Sequence, residues 1–243
     1  MDALSKSYSG VAVVNAINLR VPAGSIFGFL GPNGSGKSTT VKMISGALAP
    51  DQGDARILGR SICKEDVAVK KTVGVLMDGI ALFEYLTIWE HLDLVRSLFD
   101  VDKIDFAHRS GQLLRMFDLV QDAGKLVREA SYGMRKKTAL SMALLPNPEV
   151  LILDEPFEGL DPVMTVGLKN ALRVAAGRGK TVFLTTHMLG GVGDLLTDYA
   201  ILRSGNIVAE GSRESLDRLG ITLEEHYLTC FDDQQKEDLA WLS

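Results

Sequence analysis

The sequence predicts an α/β fold: a mostly parallel sheet flanked by helices, with a small antiparallel β layer at the N-terminal side and a helical subdomain inserted in the middle. Three observations carry this expectation. A compact apolar run at 26–30 (IFGFL) leads through a glycine-rich loop into a helical pattern, the order of a strand–loop–helix unit. Two more apolar runs, 150–153 (VLIL) and 181–185 (TVFLT), are separated by a helix-forming stretch from 162 to about 176, the αβ rhythm of a parallel sheet. Between residues 78 and 145 the pattern changes to amphipathic helices with no convincing strand.

Taken in order, residues 11–21 partly alternate (Ile17, Asn18, Leu19, Arg20, Val21) before a turn at Pro22, Ala23 and Gly24, as half-buried antiparallel strands do. The chain begins a few residues before Tyr8, so the first strand is expected to be short. Residues 38–47 place Val41 and Ile44 on one helical face; 50–53 read as a turn, 55–58 as a short strand and 73–77 (VGVLM) as a buried strand. In the helical stretch, Thr87 and Glu90 form a capping box, and Leu92, Val95, Leu98 and Phe99 continue the apolar stripe behind it. A second helix is expected over 106–119, and a third from 131 to 145, stopped by Pro146 and Pro148. Residues 199–202 and 207–210 read as closing strands around Ser204, Gly205 and Asn206. The tail beyond Ser212 reads as one or two short helices, with Leu239, Trp241 and Leu242 docking on an apolar surface.

With 46% hydrophobic and 23% charged residues among 243, the chain is long enough to bury a full core. A net charge of −5 argues against a nucleic-acid backbone as main partner, and the longest unbroken basic run is Arg135, Lys136 and Lys137. Cys63 and Cys230 lie far apart without a CxxC or paired histidines, so neither a disulfide framework nor a metal site is expected, and a reducing compartment fits. No leader pattern opens the chain and no apolar run approaches the roughly 20 residues that span a bilayer.

Residues 31–39 read GPNGSGKST, with Gly31, Gly36, Lys37 and Ser38 at the spacing of a Walker A loop. Glycines at 31, 34 and 36 let the backbone curl around an anion, and the amides from Gly34 to Thr39 would point at phosphate oxygens from a helix N-terminus. Lys37 would reach the β- and γ-phosphates and Ser38 would ligate magnesium. Downstream, the apolar run at 150–153 ends on Asp154 and Glu155, a Walker B pattern; helix-start acids near Pro156 would read the same way. Carboxylates at a strand's C-terminal end sit where open α/β sheets bind ligands, so Asp154 would hold the magnesium shell and Glu155 would polarise a water.

Before this strand stand Ala130, Ser131, Tyr132, Gly133 and Met134; after it come Gly159, Leu160, Asp161 and then Thr185, Thr186, His187. The whole set resembles the ATP-binding subunit of an ABC transporter, from about residue 4 to 212, most specifically over SYGMRKKTALSMALLPNPEVLILDEP. The resemblance implies a P-loop NTPase fold: a RecA-like ATP-binding core with its antiparallel layer at 1–77 and 146–212, a helical signature subdomain at 78–145 and a tail at 213–243. It implies ATP and Mg2+ as cofactors, with Tyr8 stacking on adenine, and Gly31, Asn33, Gly34, Ser35, Gly36, Lys37, Ser38 and Thr39 around the phosphates. Ser131 and Gly133 would contact the γ-phosphate held by the opposite subunit. By the same resemblance Lys37, Glu155 and His187 would carry hydrolysis, and Ser38, Asp154 and Asp78 would hold the metal.

Among the four histidines, His91 and His108 read as exposed helix positions and His226 lies in the tail, which leaves His187 at a strand end. Asp161 matches a dimer-contact loop and is equally a good helix start before Pro162. Besides the short first strand, two departures stand out. Asp78 occupies the place of a glutamine; and in the signature Ala130 replaces the leucine, Met134 the glutamine and Tyr132 the first glycine, where its side chain must point away from the phosphate or weaken the contact across subunits.

The partners implied are a second nucleotide-binding subunit, as homodimer or heterodimer, and integral-membrane permease subunits; no nucleic acid is expected. Residues 80–86 (IALFEYL) are either a groove for a permease helix or subdomain core. The leading expectation is an ATPase at the cytoplasmic face of the membrane that powers an exporter with separate permeases. A soluble ABC-type ATPase and a poorly hydrolysing nucleotide module are the alternatives.

Overall fold

A computed structural model describes residues 1–62, 67–79 and 82–231. Its N-terminal part comprises β1 (Asp2–Tyr8), β2 (Val11–Ile17), β3 (Ile26–Leu30), α1 (Lys37–Ile44), β4 (Gln52–Asp54), β5 (Arg56–Ile57), β6 (Arg60–Ser61), α2 (Val67–Lys70) and β7 (Val73–Leu76). The helices α3 (Ile88–Leu98), α4 (Lys103–Met116) and α5 (Tyr132–Leu144) follow. Next come β8 (Val150–Leu153), α6 (Pro162–Gly177), β9 (Thr181–Thr186), β10 (Asp198–Arg203), β11 (Asn206–Ser212), α7 (Arg213–Leu219) and α8 (Leu223–Thr229).

Six strands make one sheet in the order β11-β10-β3-β9-β8-β7, parallel throughout except for β11 at the edge. A three-stranded antiparallel sheet, β2-β1-β4, lies beside it and is tied on by the Asn15 N–H, which donates to Gly205 O at 2.9 Å. This is the P-loop NTPase fold the sequence predicts. Side chains alternate across the main sheet, so it divides two cores. Ile26, Leu30, Leu151, Leu153, Val182 and Leu184 face the helices α3 to α6, while Phe27, Phe29, Ile152 and Phe183 face α1 and the antiparallel layer. The rings of Phe27 and Phe183 stack with centroids 5.9 Å apart, so neighbouring strands interlock in the second core. No helix among the described residues is long and apolar enough to cross a membrane.

Several local expectations are corrected. Residues 52 and 53, expected in the turn at 50–53, join Asp54 in β4 because β1 supplies a partner, Ser5 opposite Gln52 and Asp2 opposite Asp54. The strand expected at 55–58 is confined to β5, which pairs only with β6. The second helix lies earlier than 106–119: Asp102 caps it by accepting from Ile104 N at 2.8 Å, and Asp118 at φ 52 leaves the helical path. Phe117 and Leu119 are nevertheless buried, which is what extended the apolar reading.

The capping box forms as expected, with Thr87 Oγ1 accepting from Glu90 N at 3.1 Å and Glu90 Oε2 from Thr87 N at 2.7 Å. One turn later His91 is fully buried, contrary to its exposed reading. Its Nε2 accepts from Phe83 N at 2.9 Å and its Nδ1 donates to Thr87 O at 2.8 Å, so both ring nitrogens are satisfied by nearby backbone. Residues 80–81 of the apolar stretch, Cys63 and the expected tail anchors Leu239, Trp241 and Leu242 lie outside the described residues.

Candidate functional site

Parallel pairing aligns the C-terminal ends of the central strands, with Leu30 opposite Thr186 and Leu153 opposite Leu184. The segments that leave β3, β8 and β9 therefore open on one edge of the sheet. There they border a cleft of about 470 Å³ lined by Asn33, Gly34, Gly36, Lys37, Ser38 and Thr39 from the loop, with Asp78, Glu155 and His187 opposite. Val13, Tyr132 and Glu158 complete the lining.

The loop needs its glycine at 36. This residue caps α1 at φ 107, and a Cβ there would lie 2.6 Å from Val13 O. No side chain caps α1 and no acid stands in its first turn, so its N-terminal field is turned to the cleft uncompensated. Lys37 is buried; its Nζ donates to Gly31 O at 2.7 Å and Pro32 O at 3.2 Å, and lies 3.5 Å from Glu155 Oε1. Burial pushes its pKa below the usual lysine value, while Glu155 and then Asp154 act to hold it up. Gly31 and Ser35 do not line the cleft; Gly31 supplies the carbonyl that holds Lys37, and Ser35 is buried beneath the loop.

At the end of β8 one hydroxyl links two acids. Thr185 Oγ1 accepts from Glu155 N at 3.0 Å and donates to Asp154 Oδ1, while Asp154 N donates to Leu76 O at 2.8 Å. Asp154 is thereby buried with its carboxylate oriented. Glu155 bends away in the left-handed region at φ 46, and Oε2 accepts from His187 N at 3.3 Å. Glu155 Oε1 and His187 Nδ1 are 3.0 Å apart, yet their angles do not make a hydrogen bond, and both atoms remain without a hydrogen-bond partner, as does Ser35 Oγ. Of these, Glu155 Oε1 and His187 Nδ1 belong to residues that line the cleft, and buried polar atoms in this state fit a ligand or an attacking water that supplies the missing partners.

Among the described residues no group of three or more His, Cys, Asp or Glu forms a metal cage. The Ser38 hydroxyl and Asp154 carboxylate are hard oxygen donors of the kind that suit Mg2+, which takes one or two protein ligands and the rest from phosphates and water. Asp78 lines the cleft, with Oδ1 accepting from its neighbour Gly79 N at 2.9 Å.

Ser131 caps α5, its hydroxyl accepting from Met134 N at 3.2 Å; neither it nor Gly133 lines the chain's own cleft. Tyr132 between them does. Its ring packs over Gly159, and burial followed by the charges of Glu158 and Asp78 pushes its phenol pKa up. The side chain is 57% exposed and borders the cleft of its own chain. Tyr8 stands apart from the lining, 48% exposed at the end of β1, with Lys6 Nζ 5.8 Å over its ring. Asp161 caps α6 by accepting from Met164 N at 2.9 Å. Glu158 and Val13 were not singled out from sequence. A second carboxylate three residues after Glu155 offered a signal for the former, and nothing local did so for the latter.

The family described as ABC transporter matches residues 14–158. The daunorubicin resistance ATP-binding protein DrrA3 of Streptomyces coeruleorubidus is 35% identical over 231 residues, 93% of this chain and 73% of the relative. The Nod factor export ATP-binding protein I of Rhizobium etli is 35% identical over 213 residues, 88% of this chain and 67% of the relative. Among solved structures, one titled "Structure of ATP binding subunit of ABC transporter" superposes with a TM-score of 0.88 at 29% identity, covering 95% of this chain and 98% of that one.

Proposed function

Since the chain belongs to the ABC transporter family of ATP-binding proteins, we propose that it is the ATP-hydrolysing subunit of an exporter whose permeases are separate chains. The observation that carries this reading is the meeting of Lys37, Glu155 and His187 at one cleft, with Glu155 Oε1 and His187 Nδ1 both lacking a hydrogen-bond partner.

In the proposed reaction Lys37 exchanges its bonds to Gly31 O and Pro32 O for phosphate oxygens. Glu155 accepts a hydrogen bond from the attacking water, and His187 fixes the carboxylate on its other side. Mg2+, bound with ATP through Ser38 and Asp154, would neutralise charge on the transferring phosphate. Ser131 and Gly133 stand outside their own cleft, which supports a head-to-tail dimer in which they complete the site of a second nucleotide-binding subunit, identical or homologous. ATP then closes the pair and its hydrolysis opens it. The names of the relatives, one in daunorubicin resistance and one in Nod factor export, support outward transport, a permease partner and residence at the cytoplasmic membrane face.

Glu155→Gln tests the assignment. Turnover is expected to fall roughly 10²- to 10⁴-fold with ATP binding retained, because the carboxylate acts on water and not on nucleotide. Unchanged turnover would falsify the role given to Glu155. A nucleotide module that hydrolyses poorly is the second reading, favoured by Tyr132 in the cleft; wild-type turnover no faster than that of Glu155→Gln would select it.

A further inference from the structure

One buried charge takes no part in the reaction as described. Lys136 is 2% exposed, although in the sequence it is the middle of a basic run. It lies on α5, five residues after the Ser131 cap, on the buried face that Leu140 and Ala143 continue at helical spacing. Its Nζ donates to the main-chain oxygen of Glu155 at 2.7 Å.

The bond matters because of the backbone it holds. Glu155 is not glycine, yet sits at φ 46, a conformation that costs an L-residue free energy and persists only where neighbours over-determine it. Three such neighbours are present. Thr185 Oγ1 holds the Glu155 N–H at 3.0 Å, His187 N–H holds Oε2 at 3.3 Å, and Lys136 holds the carbonyl. The carbonyl also accepts from Glu158 N, but at 3.3 Å, so the ammonium is its shorter and charged partner. Burial pushes the Lys136 pKa down, and Glu158, Asp78 and Glu155 of the cleft, with the buried Asp154, act in the opposite direction.

We infer that Lys136 is a positioning residue for hydrolysis: from the signature helix it clamps the Glu155 backbone in the turn that aims the carboxylate at the cleft. This rests on the reading of Glu155 given above. It also means that α5, whose N-terminus carries Ser131 and Gly133, is bonded directly to the catalytic segment of its own chain. A shift of α5 is then felt at Glu155 without passing through the nucleotide.

The test uses the full chain, with steady-state hydrolysis, ATP titration and thermal unfolding measured together. Lys136→Met keeps the length and apolar stem and removes the donor. Its kcat is expected to fall on the order of 10- to 100-fold, the scale of a misplacement of about 1 Å, with KM and ATP affinity within about threefold. In a Glu155→Gln background the same change is expected to lower the residual rate by less than about twofold, because a residue that acts through Glu155 has nothing left to act on. A kcat within twofold of wild type, losses that multiply in the double variant, or KM and ATP affinity lost together with kcat overturn the inference. Should Lys136→Met not fold, Lys136→Arg, which keeps charge and donor, is expected to hydrolyse within about tenfold of wild type; a folded, ATP-binding Arg variant as slow as Glu155→Gln overturns it. The two readings fail separately: if Glu155→Gln leaves turnover unchanged the proposed function fails, and if only the Lys136 variants do so the clamp alone fails.

Discussion

Two helix N-termini serve the proposed site, and they are finished in opposite ways. The first, α1, starts on Gly36 at φ 107 with no side-chain cap, and the lysine behind it is folded onto its own loop carbonyls. The second, α5, starts on Ser131 in an extended conformation, and the serine hydroxyl already accepts from Met134 N. An uncapped terminus keeps its amides and its partial positive charge for an anion, whereas a capped one is satisfied within the chain. The difference teaches which half of the site depends on ligand. In the proposed site an anion would take the free amides of the loop, while the turn at Ser131 holds its shape alone and would have to share its cap hydroxyl to touch one.

The largest effect expected from this contrast falls on Lys37. Lys37→Ala should weaken MgATP binding by roughly 100-fold or more, since losing one partner of a buried charge pair costs about 2–5 kcal/mol. A titration giving wild-type affinity would take the loop out of the site. Gly36→Ala comes next: an L-residue forced to φ 107 against Val13 O should cost at least about 1–2 kcal/mol of stability, with nucleotide binding impaired. An unchanged unfolding midpoint would mean that the loop relaxes. The smallest change sharpens the comparison most. Ser131→Ala should cost about 1 kcal/mol of stability for the lost cap and leave ATP binding to the isolated chain intact, because Ser131 lies outside its own cleft. A loss of ATP affinity in the monomer would erase the distinction between the two termini.

Both termini were legible in the sequence because their signals are local. Glycines and a lysine at fixed spacing, or a serine three residues before the amide it accepts from, do not depend on the rest of the chain. The apolar runs behind β3, β8 and β9 were legible for the same reason, since a strand buried on both faces needs little else. What escaped depends on partners distant in sequence. Gln52, Gly53 and Asp54 have the composition of a turn and become a strand only because β1 offers its edge. Arg135, Lys136 and Lys137 look like one basic cluster, but the fold gives Lys136 to Glu155 O and turns Arg135 onto the carbonyls of Val127 and Ala130. The Tyr132 ring lies against Gly159, twenty-seven residues on, a contact that the local pattern around the serine does not announce. Helical periodicity sorts faces, and it has no means of telling which polar residue on a face will find a backbone partner.

The same holds for His91, whose burial has a mechanical meaning. Phe83 is 63% exposed, but its N–H is bolted to the His91 ring, and that ring is pinned to Thr87 O at the cap of α3. Phe83 and His91 also stack, with centroids 6.1 Å apart. The exposed aromatic is therefore not on a slack tether. A load applied to it passes through two short, directional bonds into the first turn of α3, so the helix is pushed as a rigid strut where an unanchored loop would have absorbed the displacement.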